Sequence, residues 1–168
     1  MSSPRSLLQT IEFTLTRVIQ ALAILVSIIM VGSLLIGIFY RYVLQNSLSW
    51  SDEVALLCFT WMVFLTAALA VRDNSHVRVE LVEKILPARA HWLLEQLIWI
   101  LIALIGAYML WMGWQFTAFT LGQTSAAIRY PVWLRNVSLP VAGALIIPYA
   151  LLQLQGFGRF QQSKEETA

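Results

Sequence analysis

The feature that most constrains this chain is a set of four long intervals without a charged side chain. They cover residues 18–40, 54–71, 96–128 and 136–158. Each holds about 18 residues or more, and at ~1.5 Å per helical residue that length crosses the hydrocarbon core of a bilayer. Only 12% of the 168 residues are charged, whereas soluble domains carry about a quarter. The sequence therefore predicts an all-α membrane protein with four transmembrane helices.

The four spans form a single predicted membrane domain that covers the whole chain. We place them at about residues 18–40, 53–71, 90–119 and 136–156. The segment before the first span repeats apolar residues at helical spacing, so we expect it to lie along the membrane surface before the chain turns in. None of the four spans is expected to carry a charged side chain.

A short amphipathic helix is predicted between the second and third spans, over about residues 77–87. Pro87 ends the pattern, because proline is disfavoured inside a helix and favoured at the start of the next one. Its apolar residues recur at helical spacing between charged ones, which is typical of a helix at the membrane interface. They are Leu81, Val82, Ile85 and Leu86.

The distribution of Lys and Arg between the two sides predicts the orientation. Eight of the 11 basic residues fall on one side and three on the other, where they are Arg41, Arg129 and Arg135. Basic loops are retained in the cytoplasm, so both termini should be cytoplasmic. The loops at residues 43–49 and 120–135 should then face outward.

Charged residues crowd both ends of the second span. The collar before the span consists of Arg41, Trp50, Asp52 and Glu53, and the collar after it contains Arg72, His76 and Arg78. Ser49 and Asp52 fit a capping box, and Trp50 fits an interfacial aromatic anchor. Capping explains Asp52 without any further role.

Glu53 is not needed for the cap, and Arg41 ends the preceding helix on the same side. We therefore predict an ion pair between Arg41 and Glu53, within this chain or with a partner. At the other collar we favour a partner interface for Arg72, where the membrane edge limits solvent screening. Arg78 fits a lipid headgroup anchor, worth ~1 kcal/mol near anionic lipid.

Several membrane chemistries lack the residues that they require. An exporter driven through a membrane-embedded carboxylate needs an acid at depth, and a haem-bearing bundle needs deep histidines. His76 and His91 lie in the loop region, where metal binding is conceivable but solvated side chains are favoured. Cys58 is the single cysteine, so it is interpreted as a small buried apolar residue.

These exclusions predict a subunit that supports a partner. We expect no enzymatic activity, cofactor or metal. The net charge of +2 is too small to indicate a nucleic-acid partner.

Four short strings of residues, taken in order, resemble the small permease subunit of tripartite ATP-independent periplasmic (TRAP) transporters. The later Pro131, Trp133 and Pro140 also match that family, and the likeness covers nearly the whole chain. Thr66, Val77 and Glu80 depart mildly from the family pattern. The strings are Arg41-Tyr42-Val43, Ser49-Trp50-Ser51-Asp52-Glu53, Ala67-Ala68-Leu69-Ala70-Val71-Arg72 and His76-Val77-Arg78-Val79-Glu80.

The resemblance implies a bacterial inner-membrane protein bound to a large multi-helix permease and served by a periplasmic substrate-binding protein. Such an assembly is a sodium-coupled importer, commonly of carboxylates, and its large subunit carries substrate and sodium. The small subunit would then act as a scaffold in the bilayer and enlarge the docking face. The residues that select the substrate lie on other chains, so this sequence does not name it.

Two other functions compete with the scaffold. One is a membrane anchor of a redox enzyme that binds haem or quinone, which a visible-range spectrum would reveal. The other is transport by a homo-oligomer of this chain, which would require uptake by the chain alone. The scaffold is the leading hypothesis.

Overall fold

The computed structural model describes the backbone of residues 4–72 and 88–165 and the side chains of residues 13–72 and 93–154. Within these ranges the regular elements are four long helices and one short helical turn. The predicted all-α class is therefore confirmed. The helices are α1 (Pro4–Tyr42), α2 (Ser49–Arg72), α3 (Ala88–Phe119), α4 (Trp133–Asn136) and α5 (Ser138–Glu165).

Four helical segments are long and apolar enough to cross a membrane, as the charge-free intervals predict. Large apolar side chains cover their outer surfaces, including Ile28 and Trp111. A soluble protein of this size would bury much of that surface, whereas hydrocarbon accommodates it. The segments are Phe13–Tyr42, Ser49–Arg72, Leu93–Phe119 and Trp133–Leu154.

The structure corrects two expectations about the spans. The segment before the first span is not separate from it, because α1 begins at Pro4 and continues to Tyr42. No charged side chain was expected within the spans, but each of the four segments contains at least one, such as Arg17 in the first and Glu95 in the third. The 32 residues of α3 extend ~48 Å, well beyond a core of ~30 Å, so its first turns can lie in the headgroup layer.

The interfacial helix predicted over about residues 77–87 lies outside the described residues. So do His76 and Arg78 of the collar after the second span. Their interpretation remains a prediction.

Helix α5 lies between α2 and α3, and α1 packs against α2. Trp99 of α3 is 1% exposed and packs with Ile146 and Tyr149 of α5. Ala68 and Val71 of α2 complete that cluster. Leu65 and Leu69 of α2 join Ile19 and Ala23 of α1 in a second cluster. The bundle is thus held by two apolar seams that both include α2.

Small residues allow the helix backbones to approach closely. A Cβ atom at Gly143 of α5 would lie 2.6 Å from the Gly106 carbonyl oxygen and 2.6 Å from the Leu110 nitrogen, both in α3. Gly37 of α1 faces Ser51 of α2, where an added Cβ would lie 2.5 Å from the hydroxyl. Gly37 therefore contributes to the close contact between α1 and α2.

Candidate functional site

Polar contacts concentrate where α1 ends, α2 begins, α3 ends and α5 begins. We call this the Arg41 end of the bundle, and the opposite end, where α2 finishes, the Arg72 end. The collar of Arg41, Trp50, Asp52 and Glu53 lies at the Arg41 end, as the sequence predicts. Helix α2 begins at Ser49, where the capping pattern places the start of a helix.

Arg41 pairs with Asp52 and not with the expected Glu53. The Arg41 Nη2 atom lies 3.2 Å from the Asp52 Oδ2 atom. The two side chains remain 53% and 62% exposed. This contact joins the end of α1 to the start of α2 across the short loop.

Glu53 binds the long connection between α3 and α4. The backbone N–H of Ala127 donates to Glu53 Oε1 at 2.8 Å, and that of Ile128 donates to Oε2 at 2.9 Å. The Ser125 hydroxyl also donates to Oε2, at 2.7 Å. Both carboxylate oxygens are therefore engaged, and hydrogen bonds to an ionised carboxylate are stronger than those between neutral groups.

The connection has a hairpin shape of its own. The N–H of Ser125 donates to the Tyr130 carbonyl at 2.9 Å, and that of Val132 donates to the Gln123 carbonyl at 3.0 Å. Arg129 has a φ of 58°, in the left-handed region that non-glycine residues seldom adopt. We call residues 125–129 the hairpin tip, which Glu53 ties to α2.

Two further contacts hold this end together below the hairpin tip. The Asn136 amide donates to the Thr120 hydroxyl at 3.0 Å, in a buried position. The Trp61 indole N–H donates to the Leu134 carbonyl at 3.0 Å. The sequence analysis did not predict a role for Asn136 or for Trp61. The available signals were an amide at the start of the predicted fourth span and a tryptophan in the middle of the second, because both side chains need a hydrogen-bond partner when buried.

At the Arg72 end, helix α5 contacts the last residue of α2. The Gln153 side-chain amide donates to the Arg72 carbonyl at 3.1 Å. Arg72 thus lies at the helix end, as predicted, and the structure brings Gln153 to it. Cys58 is buried in α2, as expected for a small apolar residue.

The geometry at the Arg41 end is better suited to holding a fixed binding surface than to catalysis. Asp52 contacts an arginine and Glu53 contacts the hairpin tip, so both acids serve internal contacts. Their effect is to present an ordered polar surface at one end of an apolar bundle. Such a surface is suited to meeting another molecule outside the hydrocarbon.

Comparison with known proteins agrees with this architecture. The family model described as the DctQ component of tripartite ATP-independent periplasmic transporters matches residues 30–157. A sialic acid TRAP transporter small permease protein, SiaQ, of Vibrio cholerae is 33% identical over 116 residues, which cover 64% of this chain and 62% of that protein. An isethionate TRAP transporter permease protein, DctMQ, of Oleidesulfovibrio alaskensis is 27% identical over 113 residues.

The match to DctMQ covers 64% of this chain and 17% of that protein. The chain therefore spans less than two thirds of the length of either relative. The family model, by contrast, covers more than half of the chain and includes all of α2, the hairpin tip and α4. The match therefore includes the polar end of this four-span bundle, and the chain belongs to the DctQ component family of tripartite ATP-independent periplasmic transporters.

Proposed function

We propose that this chain is the small membrane subunit of a sodium-coupled, binding-protein-dependent importer of organic acids. It holds a large permease subunit in the bilayer and contributes part of the face on which a periplasmic substrate-binding protein docks. Membership of the DctQ component family supports the transporter role. The scaffold role and the docking role are our inferences.

The observation that carries the scaffold role is the chemistry of the buried interior. The fully buried polar side chains among the described residues are hydroxyls and one amide. Two charged side chains, Arg72 and Glu95, are half-buried and each has one buried polar atom. Ion and substrate pathways within membranes usually require ionisable residues facing the interior. A bundle that buries hydroxyls and packs glycine against backbone is better suited to rigidity than to conduction. The large apolar outer surface is available for lipid and for a partner of many helices.

The substrate class and the orientation rest on indirect support. The two relatives are named for isethionate and for sialic acid, which are both organic acids. The excess of Lys and Arg on one side favours cytoplasmic termini in an inner membrane. The Arg41 end would then face the periplasm, where the binding protein is found.

Reconstitution tests the proposal. The chain is co-expressed with a candidate large permease subunit, purified by a tag on this chain alone, and placed in liposomes with the binding protein. We expect the permease to co-purify and uptake to require a sodium gradient and all three components. Liposomes that lack only this chain, and liposomes that contain only this chain, serve as controls and should give no uptake.

Two results would contradict the scaffold. Sodium-dependent uptake by this chain alone would show that it transports by itself. A Soret band in the visible spectrum of the purified complex would favour the redox anchor instead.

A further inference from the structure

The contact between Glu53 and the hairpin tip links two parts of the chain that are more than 70 residues apart in sequence. We propose that Glu53 is a positioning residue, which holds the hairpin tip in the shape that docks the periplasmic substrate-binding protein. This inference rests on the proposed function and adds a residue and a mechanism to it. The side chain of Glu53 does not itself contact the partner in this proposal.

The arrangement of the donors explains why a carboxylate is required. Three donors from the hairpin tip converge on two oxygens, at 2.7, 2.8 and 2.9 Å. A glutamine at this position would offer one acceptor oxygen and turn an NH₂ group toward a backbone N–H. At least one donor would then lose its partner. The carboxylate of Glu53 therefore has a specific role, which is to accept the three hydrogen bonds from the hairpin tip.

The hairpin tip is exposed, and its shape is fixed from two sides. Ile128 is 42% exposed, and Arg129 beside it is exposed as well. The tip thus presents an apolar side chain next to a cation, beyond the ends of the spans. Backbone hydrogen bonds fix the base of the hairpin, while Glu53 fixes its tip.

A folded protein is a better occupant for this surface than a lipid headgroup. Fixing a loop in its bound shape before binding lowers the entropy cost of docking onto a rigid surface. A fluid layer of headgroups adapts to any loop shape and gains little from such order. The orientation that we propose places the hairpin tip in the periplasm, and the soluble partner there is the binding protein.

The test measures uptake in the reconstituted complex as the concentration of binding protein is raised. For Glu53→Gln we expect the half-saturating concentration of binding protein to rise about fivefold or more, as for the loss of a hydrogen bond to a charged group. The maximal rate should be retained, because the chain still folds and assembles. The matched variant Asp52→Asn removes the neighbouring charge but leaves the donors to Glu53 in place, so its effect on half-saturation should be much smaller.

A second measurement follows the hairpin tip without transport. Ala127→Cys keeps the backbone N–H that donates to Glu53 and places a thiol in the tip, which a membrane-impermeant maleimide can label in the intact complex. Adding Glu53→Gln should speed the labelling severalfold, and binding protein should slow it. If the wild-type complex shows no uptake, the proposed function is overturned. The labelling rates do not depend on uptake, and they still decide whether Glu53 positions the hairpin tip.

Three outcomes would overturn the inference. A lower maximal rate with unchanged half-saturation would mean that Glu53 acts on assembly. Equal effects of Glu53→Gln and Asp52→Asn would indicate a general charge effect. Protection of the thiol by phosphatidylglycerol in the liposomes, with none from the binding protein, would assign the hairpin tip to the lipid surface.

Discussion

The interior of the bundle and its Arg41 end are stabilised by different kinds of interaction. In the interior, α3 and α5 approach so closely that a single methyl group at Gly143 would lie 2.6 Å from backbone atoms. At the Arg41 end, charged and polar side chains span gaps between elements, and Arg41 and Asp52 stay more than half exposed. Close packing therefore stabilises the interior, whereas individual hydrogen bonds and an ion pair stabilise the Arg41 end. Substitutions in the two regions should therefore lower the free energy of unfolding by different amounts.

The largest effect is expected for Gly143→Ala in the interior. The new Cβ would meet the Gly106 carbonyl and the Leu110 nitrogen of α3, and backbone atoms cannot rotate away as a side chain can. Overpacking of this kind costs about 1–3 kcal/mol, and we expect the upper part of that range. The measurement is the thermal unfolding midpoint of the purified chain in detergent.

Gly32→Ala in α1 is the matched control, because no atom beyond the adjoining residues and the local helix backbone lies within 4 Å of the Cβ that it would add. Its unfolding midpoint should stay near that of the wild type. If both variants behave alike, helix propensity and not close packing decides the result, and the contrast between the two regions would be lost.

A smaller effect is expected for Trp61→Phe, which tests one hydrogen bond that joins the interior to the Arg41 end. The change keeps an aromatic ring but removes the donor to the Leu134 carbonyl at 3.0 Å. Such a loss costs roughly 0.5–1.5 kcal/mol. Unfolding in detergent again reports it, with Trp111→Phe as control because that side chain is 68% exposed. An equal shift in both variants would mean that loss of indole area, and not the hydrogen bond, is responsible.

The smallest effect is expected for the ion pair of Arg41 and Asp52. Exposed pairs of this kind contribute about 0–1 kcal/mol, and salt weakens them further. A double-mutant cycle on unfolding, with Arg41→Ala, Asp52→Ala and both changes together, measures the coupling. A coupling energy above about 2 kcal/mol would exceed the range for exposed pairs and would mean that the Arg41 end is more tightly organised than its exposure suggests.

The sequence predicted the four long apolar helices because the physical signal is local. A run of apolar residues long enough to cross the bilayer is visible without knowing its neighbours, and the observed start of α3 at Ala88 follows the Pro87 signal. The packing order of the helices has no such signature. That α5 lies between α2 and α3 depends on complementary surfaces from distant parts of the chain.

The partner of Glu53 could not be predicted for a related reason. Two of its three donors are backbone N–H groups, which every residue except proline carries, so the sequence does not mark them. The partner of Arg41 was predicted wrongly within the chain because consecutive residues of a helix point about 100° apart. Asp52 and Glu53 cannot both face α1. The spacing alone did not reveal which of them does.

The position of α5 has a consequence for the order in which the protein is made. Trp99 of α3 and Ala68 of α2 share a cluster with Tyr149 and Ala150 of α5, which are synthesised after both of them. While a ribosome is still translating residues before 138, the first three spans can enter the bilayer, but this cluster lacks the residues of α5. Final packing of this cluster must therefore wait for α5 to insert beside α2 and α3. A chain truncated before α5 would leave the apolar faces of α2 and α3 at this cluster without the side chains that cover them.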